Sequence, residues 1–245
     1  MKSSFIVGLF ILLITIACND SDRLIEVGWN QPTNINTTYV TASDLDERSL
    51  QVVKDGVINA QQYLGNYGPL KVFIIGSDVD AANILAKEFC EWTYEGKKQI
   101  DSCFNEDQGN EIRELAENRS QSAFAESDGR RRSSPTQSFV IGNPPFGDPN
   151  DNGGFVVAAH EYTHTYQHAH ISDENDGIPN WLEEGSAQLL ATFLAGDHED
   201  YLNDSVKIAK ELRENHPGLT IKDLENDKTS EKIQEDCQKC YWRLQ

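Results

Sequence analysis

Apolar positions along the chain change their period several times, and each change predicts an element. The first run, Phe5 to Ile16, has no polar face; Lys2 precedes it and Ala17-Cys18 follows. Its length is short for a bilayer span and fits the apolar core of an export signal. Residues 19–36 are polar and without period, which predicts a tether. Between Ser43 and Leu64, the apolar positions Leu45, Leu50, Val53, Val57, Ile58 and Leu64 recur at helical spacing, with Gly65 after them. Leu70 to Ile75 is a short apolar run before Gly76-Ser77 and predicts a strand. Asp78 to Trp92 returns to a helical pattern. Residues 97–132 are charged, with weak helical character around Ile112 to Phe124, and the stretch from Arg130 to Pro135 predicts a solvated polar loop. Ser138 to Ile141 predicts a second strand, stopped by Gly142-Asn143-Pro144-Pro145. A helix follows from about Phe155 to Ala169, with Asp151 or Asn152 able to cap it, and another starts at Pro179 and ends at Gly196. No internal repeat is visible.

This order of elements predicts an α+β fold, with a small mixed or antiparallel sheet against helices and a helical C-terminal lobe from about residue 171. The predicted division is residues 1–17 as export signal, 18–40 as tether and 41–245 as the folded domain. A chain of 245 residues with 38% hydrophobic and 9% aromatic positions is sufficient for one real core. The formal charge of −19, from 40 acidic against 21 basic residues, repels phosphate backbones and argues against nucleic acid as a partner.

The end of the first apolar run resembles a bacterial lipoprotein signal, a small residue (Ala17) directly before Cys18. The resemblance implies that Cys18 is acylated and that the domain sits outside the cytoplasm in the cell envelope, touching the membrane through its lipid alone. The other four cysteines, Cys90, Cys103, Cys237 and Cys240, are an even number, which outside the cytoplasm predicts two disulfides. The local pairing, Cys90 with Cys103 and Cys237 with Cys240, is one of three possible. The Cys237-x-x-Cys240 spacing also suits a redox motif or half of a metal knuckle, but no second C-x-x-C and no thioredoxin-like pattern accompany it.

The helix from Phe155 contains His160-Glu161-Tyr162-Thr163-His164, an H-E-x-x-H motif. Residues four apart lie one turn apart on one helical face, so two imidazoles there converge on one ion. Glu161 then stands beside the metal rather than on it, where it can take a proton from water and later give it up. The motif alone also arises by chance as an ordinary polar helix face. The apolar stretch from Phe155 to Ala159 argues for a buried helix, where two histidines and a carboxylate without an ion would be costly.

Further along stands Trp181-Leu182-Glu183-Glu184-Gly185. Together with H-E-x-x-H, this W-L-x-E-G run resembles the gluzincin clan of zinc peptidases, over about residues 154–191. The resemblance implies a zincin-like fold, one Zn²⁺ per chain, peptide or protein substrates, and Glu184 as third ligand beside His160 and His164. Glu183 falls at the variable position and reads as a surface or supporting acid. The resemblance also implies a downstream tyrosine that stabilises the oxyanion. Tyr241 is in a comparable place, with Tyr201, His198 and His216 as other donors. Ser138 to Ile141, ahead of the zinc helix, is expected to pair with an extended substrate. The metzincin pattern H-E-x-x-H-x-x-G-x-x-H fits less well: His170 matches its third histidine, but Gln167 stands where its glycine belongs, and Met1 is the sole methionine. His168 and His170 read as a polar helix end beside the C-terminal dipole. Two features depart from the gluzincin pattern. The segment after the W-L-x-E-G helix is short or truncated, and no G-x-M-E-N signature precedes the motif, which favours endopeptidase or amidase-like action. A binding lipoprotein without turnover and a non-peptidase zinc amidohydrolase are the alternatives.

Overall fold

The two apolar runs that read as strands lie side by side in the middle of one sheet. The structure, a computed structural model, describes residues 20–144, 152–171, 178–196 and 198–215, with 217, 218 and 220. In it, β2 (Leu70–Ile75) runs parallel to β4 (Gln137–Gly142), with Val72 opposite Phe139 and Ile74 opposite Ile141. Two shorter strands flank them: β1 (Thr38–Thr41), parallel to β2, and β3 (Ala123–Glu126), antiparallel to β4. The order β1-β2-β4-β3 makes a mixed sheet, and the architecture is α+β.

The central strands are apolar on both faces because helices cover both. Val72, Ile74, Phe139 and Ile141 pack toward α2 (Glu47–Leu64) and α6 (Gly153–His170). Phe73, Ile75 and Val140 pack toward α3 (Val79–Thr93) and α5 (Gln108–Glu117). Between α3 and α5 in the chain comes α4 (Lys97–Asn105), tied to α3 by a buried Cys90–Cys103 disulfide. Asp46 caps α2 by accepting from the Ser49 backbone N–H at 2.8 Å, and Asp78 caps α3 through the N–H groups of Asp80 and Ala81. After α6 come α7 (Asn180–Ala195) and α8 (His198–Asn215), the described part of the expected helical C-terminal lobe. None of the helices among the described residues is long and apolar enough to cross a membrane.

α6 carries the H-E-x-x-H motif, and α2 holds it in place. The two helices meet closely at Gly56, where a Cβ would collide with the Phe155 carbonyl oxygen and stand 2.9 Å from the Ala158 Cβ. Gly56→Ala is therefore expected to destabilise the fold. Overpacking costs about 1–3 kcal/mol, against a gain of roughly 0.8–1.0 kcal/mol in helix propensity. Thermal unfolding checks this, and a raised Tm would show that the α2–α6 approach is not tight.

Several expectations are corrected. The tether was expected to run to residue 40, but α1 (Asp20–Glu26) begins only two positions after Cys18. Leu24 and Trp29 are buried in a cluster with Tyr67 and Ala169, and β1 joins the sheet. A helix as short as α1 has too few apolar positions to show a period, so nothing local distinguishes it from a linker. The charged stretch 97–132 holds α4, α5 and β3, and Phe124 belongs to a strand rather than a helix. The arginine run opens with a 3-10 turn (Asp128–Arg131) in which Arg130 is buried, its carbonyl accepting from the Arg23 guanidinium. Most consequential for function, β4 is paired on both sides and cannot accept a further strand. β3 has no strand on its outer side among the described residues. Cys18, Cys237, Cys240 and Tyr241 lie outside the described residues.

Candidate metal centre

α6 runs between α2 and α7 and against the sheet, so nearly its whole circumference is buried. Its polar residues must find partners within the protein. The threonines do so locally, Thr163 Oγ1 donating to the Ala159 carbonyl and Thr165 Oγ1 to that of Glu161. The histidines find side-chain partners, one on α7 and one on α6 itself. His160 Nδ1 donates to Gln188 Oε1 at 3.1 Å, and His164 Nδ1 donates to Gln167 Oε1 at 2.7 Å. The Gln167 amide is itself oriented, because its nitrogen donates to the Glu183 carbonyl and to Ser186 Oγ. An amide oxygen can only accept, so each Nδ1 carries a hydrogen, and a ring without a second proton presents the lone pair of Nε2.

Those two lone pairs converge. The Nε2 atoms of His160 and His164 are 3.0 Å apart, and Glu184 Oε2 lies 3.2 Å from the first and 3.5 Å from the second. The ligand atoms of His160, His164 and Glu184 all fall within 4.8 Å of one another, and both histidines are buried. Two imidazole nitrogens and one carboxylate oxygen on one point, with Nδ1 hydrogens fixed behind, form a donor set that fits a small divalent ion. The electrostatics agree. Burial works against a charged His164, but the Glu184 carboxylate bonded to it, with Glu161 nearby, outweighs burial and raises its pKa. Burial would raise Glu184, but hydrogen bonds from His160 and His164 outweigh it and hold Glu184 well below the usual carboxylate range. A proton on His164 thus occupies the place a cation would take, and binding a cation releases it.

Glu161 is arranged differently. No described residue hydrogen-bonds its carboxylate, which opens onto a cavity of about 260 Å³ shared with the three ligand residues. Burial pushes its pKa up; the two histidines pull it down and Glu184 adds to the rise. One wall of the cavity is the strand β3, through Ala123, Phe124 and Ala125. His168 and Glu183 close it beyond His160, His164 and Glu184.

The four residues read from the motif, His160, Glu161, His164 and Glu184, are thus brought to one place. Of the donors named for the oxyanion, Tyr201 and His198 belong to α8, and His216, like Tyr241, lies outside the described residues. Sequence reasoning missed four contributors. Gln188 lies one turn after Glu184 on α7, and Gln167 lies three positions after His164. Both spacings put them on the ligand face, a signal that was available. His168, one turn beyond His164, lines the cavity rather than merely ending a helix. Burial, with the charges of His164 and Arg130 near it, pulls its pKa down to about 3. The wall formed by β3 carries no such signal, because it depends on pairing with β4.

Because Gln167 and Gln188 fix the two rings, Gln167→Ala and Gln188→Ala should each lower metal affinity by about 10–100-fold. Competition with a metal-sensitive dye reads this directly. Unchanged affinity would mean the rings hold their orientation without them.

Comparison of the chain with protein-family models, with curated proteins and with solved structures gave no match in any of the three.

Proposed function

We propose that the chain is a zinc-dependent peptidase whose centre is His160, His164 and Glu184, with Glu161 as general base. The observation that carries this reading is the pairing of a convergent two-histidine, one-carboxylate donor set with a separate carboxylate that makes no hydrogen bond among the described residues and opens onto the same cavity. A purely structural ion needs the first and has no use for the second. Among divalent ions, two imidazoles and a carboxylate suit zinc best. When bound there, zinc supplies Lewis acidity toward a carbonyl oxygen and toward water.

The chain's own residues do the rest. Glu161, desolvated and with its pKa raised, is ready to accept a proton at its carboxylate and to return it to a leaving amine. Gln167 and Gln188 hold the imidazoles so that the donor set does not reorganise. The outer edge of β3, which carries no strand among the described residues, lies beside Glu161, where an extended peptide can add as a strand. That role passes to β3 from the strand 138–141, whose pairing is complete. The sequence of small mixed sheet, motif helix and following helices supports a zincin-like arrangement. In this reading a lipid on Cys18 ties the enzyme to a membrane of the bacterial cell envelope, outside the cytoplasm.

The test is zinc content together with hydrolysis of an unfolded protein substrate by the full chain. One zinc per chain with hydrolysis that a chelator abolishes is the expected result. No zinc in protein purified without chelator would overturn the reading.

A further inference from the structure

Beyond the three ligand residues and Glu161, the cavity holds a second polar pair. His168 and Glu183 both line it, with His168 Nε2 3.9 Å from Glu183 Oε1. That distance is too long for a direct hydrogen bond, and it leaves room for one donor group to reach both atoms from between them. The Glu183 carboxylate has no other partner among the described residues. The bonds that reach this residue, from Gln167 and from Ser186, go to its backbone carbonyl.

The charge around the cavity is one-sided. Among the described residues three glutamates line it and no lysine or arginine does, although the charge of Arg130 reaches His168 from outside it. The carboxylate of Glu183 is partly buried and faces His168 without a hydrogen bond, so a donor group that reaches both atoms would satisfy it, a charged donor most strongly. Its position along α6 is defined too. His168 lies one helical turn beyond His164, their rings stacked at 24° with centroids 6.3 Å apart. A group seated between His168 and Glu183 is therefore displaced by about one turn from the reacting centre, a side chain's reach from a bound carbonyl.

We propose that Glu183 and His168 form a subsite for a cationic hydrogen-bond donor of the substrate, an ammonium or guanidinium group. Two sources share that chemistry, a lysine or arginine side chain and a free α-amino terminus. The inference rests on the peptidase reading and adds a substrate class to it.

The test uses the full chain loaded with zinc and carrying Glu161→Gln, so that bound peptide survives. Three peptides of equal length are titrated by calorimetry at neutral pH. One is acetylated and uncharged, with norleucine at a central position. The second is acetylated with lysine at that position. The third has norleucine and a free amino terminus. One cationic peptide is expected to bind about tenfold or more tighter than the uncharged one, and which of the two does so identifies the source. Adding Glu183→Gln should bring the ratio of cationic to uncharged affinity close to one. Equal affinities in the parent, or a preference that survives Glu183→Gln, would overturn the subsite while leaving the peptidase reading intact. Binding of none of the three would overturn the peptidase reading and the subsite with it.

Discussion

In the proposed zinc peptidase, replacing Glu161 by glutamine is expected to remove hydrolysis and leave the metal in place. Both halves of that outcome follow from geometry. Glu161 is not among the atoms that converge on one point; the donors there are His160, His164 and Glu184. Its carboxylate opens onto the shared cavity and makes no hydrogen bond with a described residue, so the amide replaces it without breaking a structural contact. What the amide cannot do is accept a proton. General base catalysis contributes about 10²–10⁴-fold, so kcat should fall by that amount, with zinc stoichiometry unchanged. Burial makes the effect large. It raises the affinity of Glu161 for a proton, which is what a base working near neutral pH requires. Metal analysis beside hydrolysis of an unfolded protein decides the matter. Retained activity within a few-fold would remove Glu161 from the mechanism, and loss of zinc would make it a ligand.

The second large effect separates two adjacent acids. Glu184→Ala should weaken zinc binding by more than the roughly 10–100-fold typical of residues behind the ligands, with hydrolysis lost in parallel. Glu183→Gln should leave zinc binding unchanged. Glu184 Oε2 stands 3.2 and 3.5 Å from the two imidazole nitrogens, whereas Glu183 points its carboxylate toward His168. Successive residues on a helix project about 100° apart, so α7 can direct only one of the two at the centre. Equilibrium dialysis of both variants, with circular dichroism to confirm folding, reads the difference. Equal losses would mean that the acids share the ion, and loss in Glu183→Gln alone would exchange their roles.

How much of this was legible beforehand depended on whether the information was local. Periodicity placed β2, β4, α2, α3, α6 and α7 nearly where they are, because a helix or strand buried on a given face repeats its apolar residues with its own period. Boundaries shifted where a cap intervened: Asp46 moves the start of α2 to Glu47, four positions after the expected Ser43. Short elements escaped. β1 and β3 have four residues each, and α1 has seven, too few for a pattern to emerge from the surrounding polar chain.

The candidate centre divides in the same way. That His160 and His164 share a face was determined by the sequence alone, since four residues make about one turn whatever the rest of the chain does. Glu184 stood out only through its likeness to a known pattern, because a separation of twenty positions from His164 fixes no distance. It took the packing of α7 on α6 to bring its carboxylate to the same point. The same packing supplies Gln188 to one ring and aims Glu183 at His168. The sheet order, which pairs β4 on both sides and leaves β3 at the edge beside Glu161, was likewise decided only in three dimensions. Strand partners are chosen by long-range hydrogen bonds and by which faces remain to be covered, and no local spacing along the chain encodes either.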